Sequence, residues 1–128
     1  MSNLLNQATI LEKKAEDFGF SWENPKQILD QIESECKEIE EHIFEQSSED
    51  RKATQEEIGD LLHAVLSLCV FCNFCPTETL SQSLDKFSKR LNAVQHLAIT
   101  NGLSSLKGKS FSELMAYWNK AKELCAKD

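Results

Sequence analysis

Two helical segments decide the fold of this chain: residues 25–45, PKQILDQIESECKEIEEHIFE, and residues 54–74, TQEEIGDLLHAVLSLCVFCNF. The first carries isoleucines at helical spacing, which mark an apolar stripe: Ile28, Ile32, Ile39 and Ile43. The second opens with acids, continues into a long apolar run, and is followed by Pro76, which cannot continue a helix. A short polar break, residues 46–52, joins the segments and predicts an antiparallel helical pair.

Each of these segments carries two acids at i, i+3 spacing, Glu35-x-x-Glu38 and Glu57-x-x-Asp60. This spacing projects both acids of a pair from the same side of a helix. Glu35 also points into the apolar stripe, where an anion is costly unless something compensates it. An antiparallel pair would bring the four carboxylates to roughly the same level. Because no histidine lies within either pair, the ligands are all oxygen, which favours Mg²⁺, with Mn²⁺ as the alternative, over Zn²⁺.

The rest of the chain also reads as helix, since it has only four glycines and two prolines and no strand-like alternation. Gly19 ends a first helix, Asn24 and Pro25 begin the second, and Thr54 with Glu57 forms a capping box for the third. The expected helices cover residues 3–17, 25–45, 54–74, 77–99 and 112–126. The sequence therefore predicts an all-α helical bundle of about four to five helices, in a single domain over residues 1–128.

The net charge and the cysteine content indicate which classes of partner and which cellular compartment to expect. The net charge of −7 argues against a general binder of nucleic acid or of anionic membranes. The longest apolar stretch, residues 61–75, is too short and too polar to span a bilayer comfortably. Five cysteines, an odd number, and the expected lack of a secretory leader favour the reducing cytoplasm.

The acidic pairs lead to a resemblance that covers most of the chain. Glu35-x-x-Glu38, followed by the segment Glu56-Glu57-Ile58-Gly59-Asp60, resembles the signature of the all-α nucleoside triphosphate pyrophosphohydrolases, the MazG-like group. Three further segments are similar to motifs of that group and occur in the same order: residues 14–22, 86–90 and 118–122. Agreement at four places in order is more specific than any single motif.

The resemblance implies a Mg²⁺-dependent enzyme that hydrolyses a nucleoside triphosphate between its α and β phosphates, giving a monophosphate and pyrophosphate. It implies that Glu35, Glu38, Glu57 and Asp60 are the metal ligands, with Glu38 or Glu35 orienting the attacking water. Further roles are implied on the later helices and on the first: Lys86, Arg90 and Lys122 would contact phosphate oxygens, Trp118 would border the nucleotide, and Lys14 is a weaker phosphate candidate. It also implies a homodimer or higher homo-oligomer, in which partner residues would complete the site.

Two positions depart from the pattern of the group. Ser34 stands where the group often has a further Glu, and the position is the less important one for metal binding. Leu84 stands where the group commonly has Asn, two residues before the lysine of the Lys86 motif. This second departure leaves the base preference open.

Other interpretations of the function remain open. A specialised relative would act on phosphoribosyl-ATP or on a single deoxynucleotide such as dCTP or dUTP, and a non-catalytic interaction module would keep the fold alone. Cys69, Cys72 and Cys75 invite a metal-cluster reading, but they lie inside an apolar helical segment and are better explained as small buried residues. His63 follows Asp60 by one turn, and we do not assign it to the metal site.

Overall fold

The computed structural model describes residues 3–45 and 47–126, and over these residues it contains five helices and no strands. Their bounds are α1 Leu4–Phe18, α2 Pro25–His42, α3 Ser48–Phe71, α4 Pro76–Thr100 and α5 Phe111–Ala126. The prediction of an all-α fold is confirmed. The chain divides into two compact units, one up to Thr79 and one from Leu80 onward. A single domain over residues 1–128 stays a prediction.

The expected signals at the ends of α1 and α2 are present. Gly19 follows α1 with a φ of 96°, a left-handed conformation that glycine adopts without a steric penalty, and its N–H bonds back to Glu16. Asn24 caps α2, since its side-chain oxygen accepts a hydrogen bond from the N–H of Gln27 (3.1 Å), and Pro25 occupies the first turn.

The predicted start of the third helix is wrong. α3 begins at Ser48, so most of the expected polar break is helical, and α2 ends at His42 rather than at residue 45. Ser47 is the cap, because its Oγ accepts a hydrogen bond from the N–H of Asp50 (3.1 Å). Thr54 lies inside the helix and donates its hydroxyl to the carbonyl of Asp50 (2.8 Å). α3 also ends earlier than expected, because Asn73 takes a left-handed φ of 65°.

α2 and α3 pack against each other in the first unit, and α1 packs on α3. Residues late on α2 meet residues early on α3, as His42 contacts Asp50 and Glu57. The two helices therefore run antiparallel, as predicted. The buried apolar residues of this unit include Ile28, which is fully buried on α2, with Ala64 and Val70 on α3.

In the second unit, residues 80–100 of α4 are joined to α5 by residues 101–110, and the two helices meet through aromatic side chains. Phe87 of α4 and Trp118 of α5 lie with their ring centroids 5.8 Å apart, a distance typical of aromatic pairs. Ala98 and Ala121 are buried. Ser110 caps α5 together with Glu113, whose N–H donates to the Ser110 Oγ (3.2 Å).

Among the described residues, no single helix is both long and apolar enough to cross a membrane. Only α3 and α4 taken together, as a bent pair, reach that length and apolarity.

Candidate active site

Glu35 is a carboxylate buried on the packed face of α2. Only 6% of the residue is exposed, in keeping with its predicted position in the apolar stripe. Gln31, one turn earlier, donates its side-chain amide to Glu35 Oε1 (2.7 Å). Within the described part of the chain, Glu35 Oε2 is buried and has no hydrogen-bond partner. A buried acceptor of this kind is costly unless a ligand satisfies it.

The electrostatics around Glu35 show which other acids lie close to it. Burial raises the pKa of the Glu35 carboxyl above its ordinary value, and the negative charge of Glu38 raises it further. The hydrogen bond from Gln31 lowers this pKa, whereas the negative charge of Asp60 on α3 raises it further. Glu38 on the same helix and Asp60 on α3 thus lie within electrostatic range of Glu35.

Glu57 occupies a second partly buried position, at the end of the site nearer the α2–α3 connection. Its side chain is 19% exposed, and its Oε2 is another buried oxygen without a hydrogen-bond partner among the described residues. Its Oε1 lies 3.6 Å from Nε2 of His42, whose Nδ1 lies 3.2 Å from Oδ1 of Asp50. His42 therefore sits between two carboxylates of α3. The hydrogen bond to Asp50 raises the pKa of its imidazole most, and the charges of Glu57 and Asp50 raise it further.

The donor set of this site suits a hard divalent cation. All four predicted ligands offer carboxylate oxygens, and the two buried oxygens, on Glu35 and Glu57, lack the compensation that a cation would supply. As the side chains stand across residues 3–45 and 47–126, no three His, Cys, Asp or Glu groups are close enough together to hold an ion. Glu38 and Asp60 are exposed, so their side chains can turn toward a cation without repacking the core.

The predicted phosphate and nucleotide residues of the second unit lie on α4 and α5. The guanidinium carbon of Arg90 lies 5.7 Å from the ring centroid of Trp118, within cation–π distance. Arg90 Nε is buried and has no hydrogen-bond partner in the part of the chain that is described. Lys86 lies one turn before Arg90, Lys122 lies one turn after Trp118, and both lysines are exposed.

Comparison with known protein families gives a match over α2, α3 and most of α4. The family description "MazG nucleotide pyrophosphohydrolase domain" matches residues 23–95, which is more than half of the chain. The chain belongs to the MazG family. The matched segment holds the four predicted metal ligands of α2 and α3 together with Lys86 and Arg90, whereas Trp118, Lys122 and Lys14 lie outside it. Lys14 is exposed on α1.

Curated relatives agree with this assignment. The chain is 32% identical over 118 residues to the nucleoside triphosphate pyrophosphohydrolase/pyrophosphatase MazG of Thermotoga maritima. It is 26% identical over 120 residues to the nucleoside triphosphate pyrophosphohydrolase of Escherichia coli K12. Each alignment covers 92% of this chain but 44% of the relative, so the chain spans less than half the length of these two relatives. A shorter match, 33% over 67 residues, covers 52% of the chain and 14% of the uncharacterized protein YabN of Bacillus subtilis.

Sequence reasoning missed Gln31 and His42, which contact predicted ligands, and Glu12, which among the described residues contacts neither a predicted ligand nor a predicted phosphate residue. Gln31 lies one helical turn before its partner Glu35, so helical spacing could have identified it, whereas His42 contacts Glu57 on the next helix. Glu12 contacts His63 and Ser67, which are 51 and 55 residues away, and no local pattern announces such contacts.

Proposed function

We propose that this chain hydrolyses nucleoside triphosphates, or their deoxy forms, between the α and β phosphates, giving a nucleoside monophosphate and pyrophosphate. Glu35, Glu38, Glu57 and Asp60 are the proposed ligands of Mg²⁺, with Mn²⁺ as a substitute. The observation that carries the proposal is the pair of buried carboxylate oxygens without hydrogen-bond partners, on Glu35 and Glu57 of adjacent helices. The family assignment and the names of the two longer relatives support the same reaction.

The reaction needs charge neutralisation and an activated water. When bound, Mg²⁺ would supply both, by offsetting the phosphate charge and by making water a better nucleophile. Glu38 or Glu35 orients the attacking water or accepts its proton. Both residues remain candidates for this role. Glu38 is exposed and its side chain can turn toward the water, whereas Glu35 is held in place by the hydrogen bond from Gln31.

The cationic residues of α4 and α5 have a separate role in this proposal. Lys86, Arg90 and Lys122 contact phosphate oxygens and stabilise the charge that develops during cleavage. Trp118 borders the nucleotide, and the position of Arg90 over its ring supports a shared function for the two residues. Lys14 on α1 remains a weaker phosphate candidate.

The exposed apolar side chains of the first unit support a proposal of self-association. Large apolar side chains are exposed on α1 and α3, among them Ile10, Leu11, Leu62 and Val65, with 62% of Leu62 exposed. Exposed apolar patches often mark interaction sites, and four large exposed apolar residues on two packed helices could supply one. We propose a homodimer or higher homo-oligomer, which light scattering tests: Leu62→Glu should shift the mass toward the monomer, whereas Gln55→Glu, an exposed position on the same helix, should not.

The cytoplasm is the proposed compartment. All five cysteines are free thiols, which fits a reducing environment. The net charge of −7 argues against nucleic acid and anionic membranes as partners.

The test is a panel of ribo- and deoxynucleoside triphosphates with Mg²⁺, in which monophosphate and pyrophosphate are both quantified. We expect hydrolysis of at least one of them, loss of that activity in Glu57→Gln, and near-normal activity in the matched control Glu40→Gln, an exposed acid on α2. Release of orthophosphate in place of pyrophosphate, or full activity in Glu57→Gln, would show that the proposed reaction or site is wrong.

A further inference from the structure

A cavity of about 390 Å³ opens between α1, α3 and the connection that follows α1. Its volume lies in the range of about 300–1,000 Å³ that small-molecule sites occupy. Its apolar wall includes Leu11, Ala15, Phe20 and Trp22. The ring of Phe20 is 79% exposed, so it is not held by packing and can stack on a planar ligand.

The polar wall of the cavity is built around Glu12. His63 Nε2 donates a hydrogen bond to Glu12 Oε1 (2.8 Å), and Ser67 Oγ donates to the same oxygen (2.6 Å). Ser67 is buried and the Glu12 side chain is only 19% exposed, so both are fixed in place. Because both bonds end on Oε1, the second carboxylate oxygen of Glu12 is left to accept a hydrogen bond from a ligand.

The position of the cavity connects it to the acids of α3. Asp60, His63 and Ser67 follow one another at spacings of three and four residues and therefore share one face of the helix. At 1.5 Å of rise per residue, Asp60 and Ser67 are separated by about 10 Å along α3. A ribose between base and phosphates bridges a gap of that order. A nucleotide whose phosphates lie at the acids can therefore place its base among these residues.

We propose that this cavity receives the nucleobase of the substrate and that Glu12 selects bases carrying an amino group at C4 of a pyrimidine or C6 of a purine, a proposal that rests on the function proposed above. The aromatic rings of Phe20 and Trp22 stack on the flat face of the base. The second oxygen of Glu12 accepts a hydrogen bond from the amino group of cytosine or adenine, a pairing that carboxylates make with cytosine in nucleic-acid recognition. Uracil, thymine and hypoxanthine present a carbonyl oxygen at this position, and two acceptors repel each other.

Glu12 also has a purely structural alternative role. Its hydrogen bonds to His63 and Ser67 connect α1 to α3, and these bonds alone would stabilise the unit without contacting a base. The two roles differ in the ratio of the reaction rates for different nucleotides. A purely structural role affects all nucleotides equally, whereas a selecting carboxylate changes that ratio.

The first experiment compares kcat/KM for CTP and UTP in the full chain with Mg²⁺. The two bases differ at C4, amino in cytosine and carbonyl in uracil, and in the proton that uracil carries on N3. We expect CTP to be preferred by about tenfold or more, the discrimination that one good base contact supplies. Glu12→Gln, whose amide can donate as well as accept, should bring the ratio close to one. The matched control Asp17→Asn, an exposed acid on the same helix, should leave the ratio unchanged. A ratio does not depend on the fraction of folded protein, so a loss of stability in Glu12→Gln does not obscure the result.

A second measurement does not need turnover. In EDTA, CMP and UMP are titrated against the indole N–H resonance of Trp22, which Trp22→Phe identifies. We expect CMP to shift this resonance at about tenfold lower concentration than UMP, and Glu12→Gln to remove the difference.

The outcomes separate the two proposals. A CTP/UTP ratio near one in the unaltered chain, or a preference that Glu12→Gln leaves intact, would overturn the role of Glu12. If no triphosphate is hydrolysed, the proposed reaction fails, and the titration alone decides the cavity: a Glu12-dependent preference for CMP supports it, and equal or absent shifts overturn it.

Discussion

Nε2 of His42 lies 3.6 Å from Oε1 of Glu57, and the other ring nitrogen of His42 lies 3.2 Å from Oδ1 of Asp50. One imidazole thus connects a predicted metal ligand to the first turn of α3. Glu57 has a second oxygen that is buried and without a hydrogen-bond partner among the described residues. The imidazole restricts how the Glu57 carboxylate can turn, which keeps that second oxygen directed into the site.

Removal of this imidazole should weaken the binding of Mg²⁺. Outer partners of metal ligands typically contribute about 10–100-fold to affinity, so we expect His42→Ala to raise the dissociation constant for Mg²⁺ by about tenfold. Isothermal titration calorimetry measures the change. His96→Ala, an exposed histidine on α4, is the matched control. Equal affinities in the two variants would mean that His42 does not position Glu57.

The His42–Asp50 contact should give a stability that depends on pH. The hydrogen bond to Asp50 is the main cause that raises the pKa of His42 above its ordinary 6.5, while bonds from Ser47 and His42 lower the pKa of Asp50 below its ordinary 3.8. A raised His pKa contributes stability that is present below 6.5 and is lost as pH rises through the folded value. A lowered Asp pKa contributes stability that is present above 3.8 and is lost as pH falls through the folded value.

Both contributions to stability are therefore fully present between about pH 4 and pH 6.5. In EDTA, the difference in Tm between the unaltered chain and Asp50→Asn should be largest near pH 5–6 and should shrink above pH 7. Asp30→Asn serves as the control, because its partner Lys26 keeps its charge throughout. A difference for Asp50→Asn that does not vary with pH would contradict the ion pair.

Glu35→Gln should stabilise the metal-free protein and abolish its response to metal. Burial, with the charges of Glu38 and Asp60, raises the pKa of Glu35, so the stability of the unaltered chain falls as pH rises above about 4.5 through the folded value. A neutral amide avoids this cost, and at pH 7 we expect the Tm in EDTA to rise by about 2–8 °C, equivalent to about 1 kcal/mol. Added Mg²⁺ should raise the Tm of the unaltered chain but not that of the variant. A lower Tm in the variant would show that the carboxylate is already compensated.

Arg90→Lys should impair catalysis although the charge is kept. Arg90 lies over the Trp118 ring, and lysine lacks the planar group that stacks there and that binds phosphate through two parallel hydrogen bonds. We expect kcat/KM to fall by about tenfold or more, corresponding to about 1.4 kcal/mol of lost transition-state stabilisation. Lys89→Ala, the exposed neighbour, should change it by less than about twofold. Similar values for the two variants would remove Arg90 from the proposed site.

Local signals predicted most of the helix boundaries. Asn24 and Pro25 start α2 and Gly19 ends α1 as expected, because caps and left-handed glycines act over a few residues. The start of α3 was missed because Ser47 and Thr54 are each followed, three residues later, by an acid. The structure uses Ser47, and the contact between His42 and Asp50 adds a tertiary stabilisation that the sequence pattern does not show.

The sequence predicted those features of the candidate site that depend on spacing within one helix, but not those that depend on packing between helices. The acids of α2 and α3 repeat at helical spacing, and the burial of Glu35 follows from its place in an apolar stripe. The contacts of Glu12 with His63 and Ser67 could not be predicted, because they depend on how α1 packs on α3. The roles of the metal ligands and of the phosphate-binding residues stay predictions.

The measurement that most directly tests the central claim is product analysis by ³¹P NMR after cleavage of a nucleoside triphosphate in ¹⁸O-labelled water with Mg²⁺. We predict pyrophosphate without label and a monophosphate that carries one ¹⁸O, because water attacks the α phosphorus. Label in pyrophosphate, or release of orthophosphate as the first product, would contradict the account.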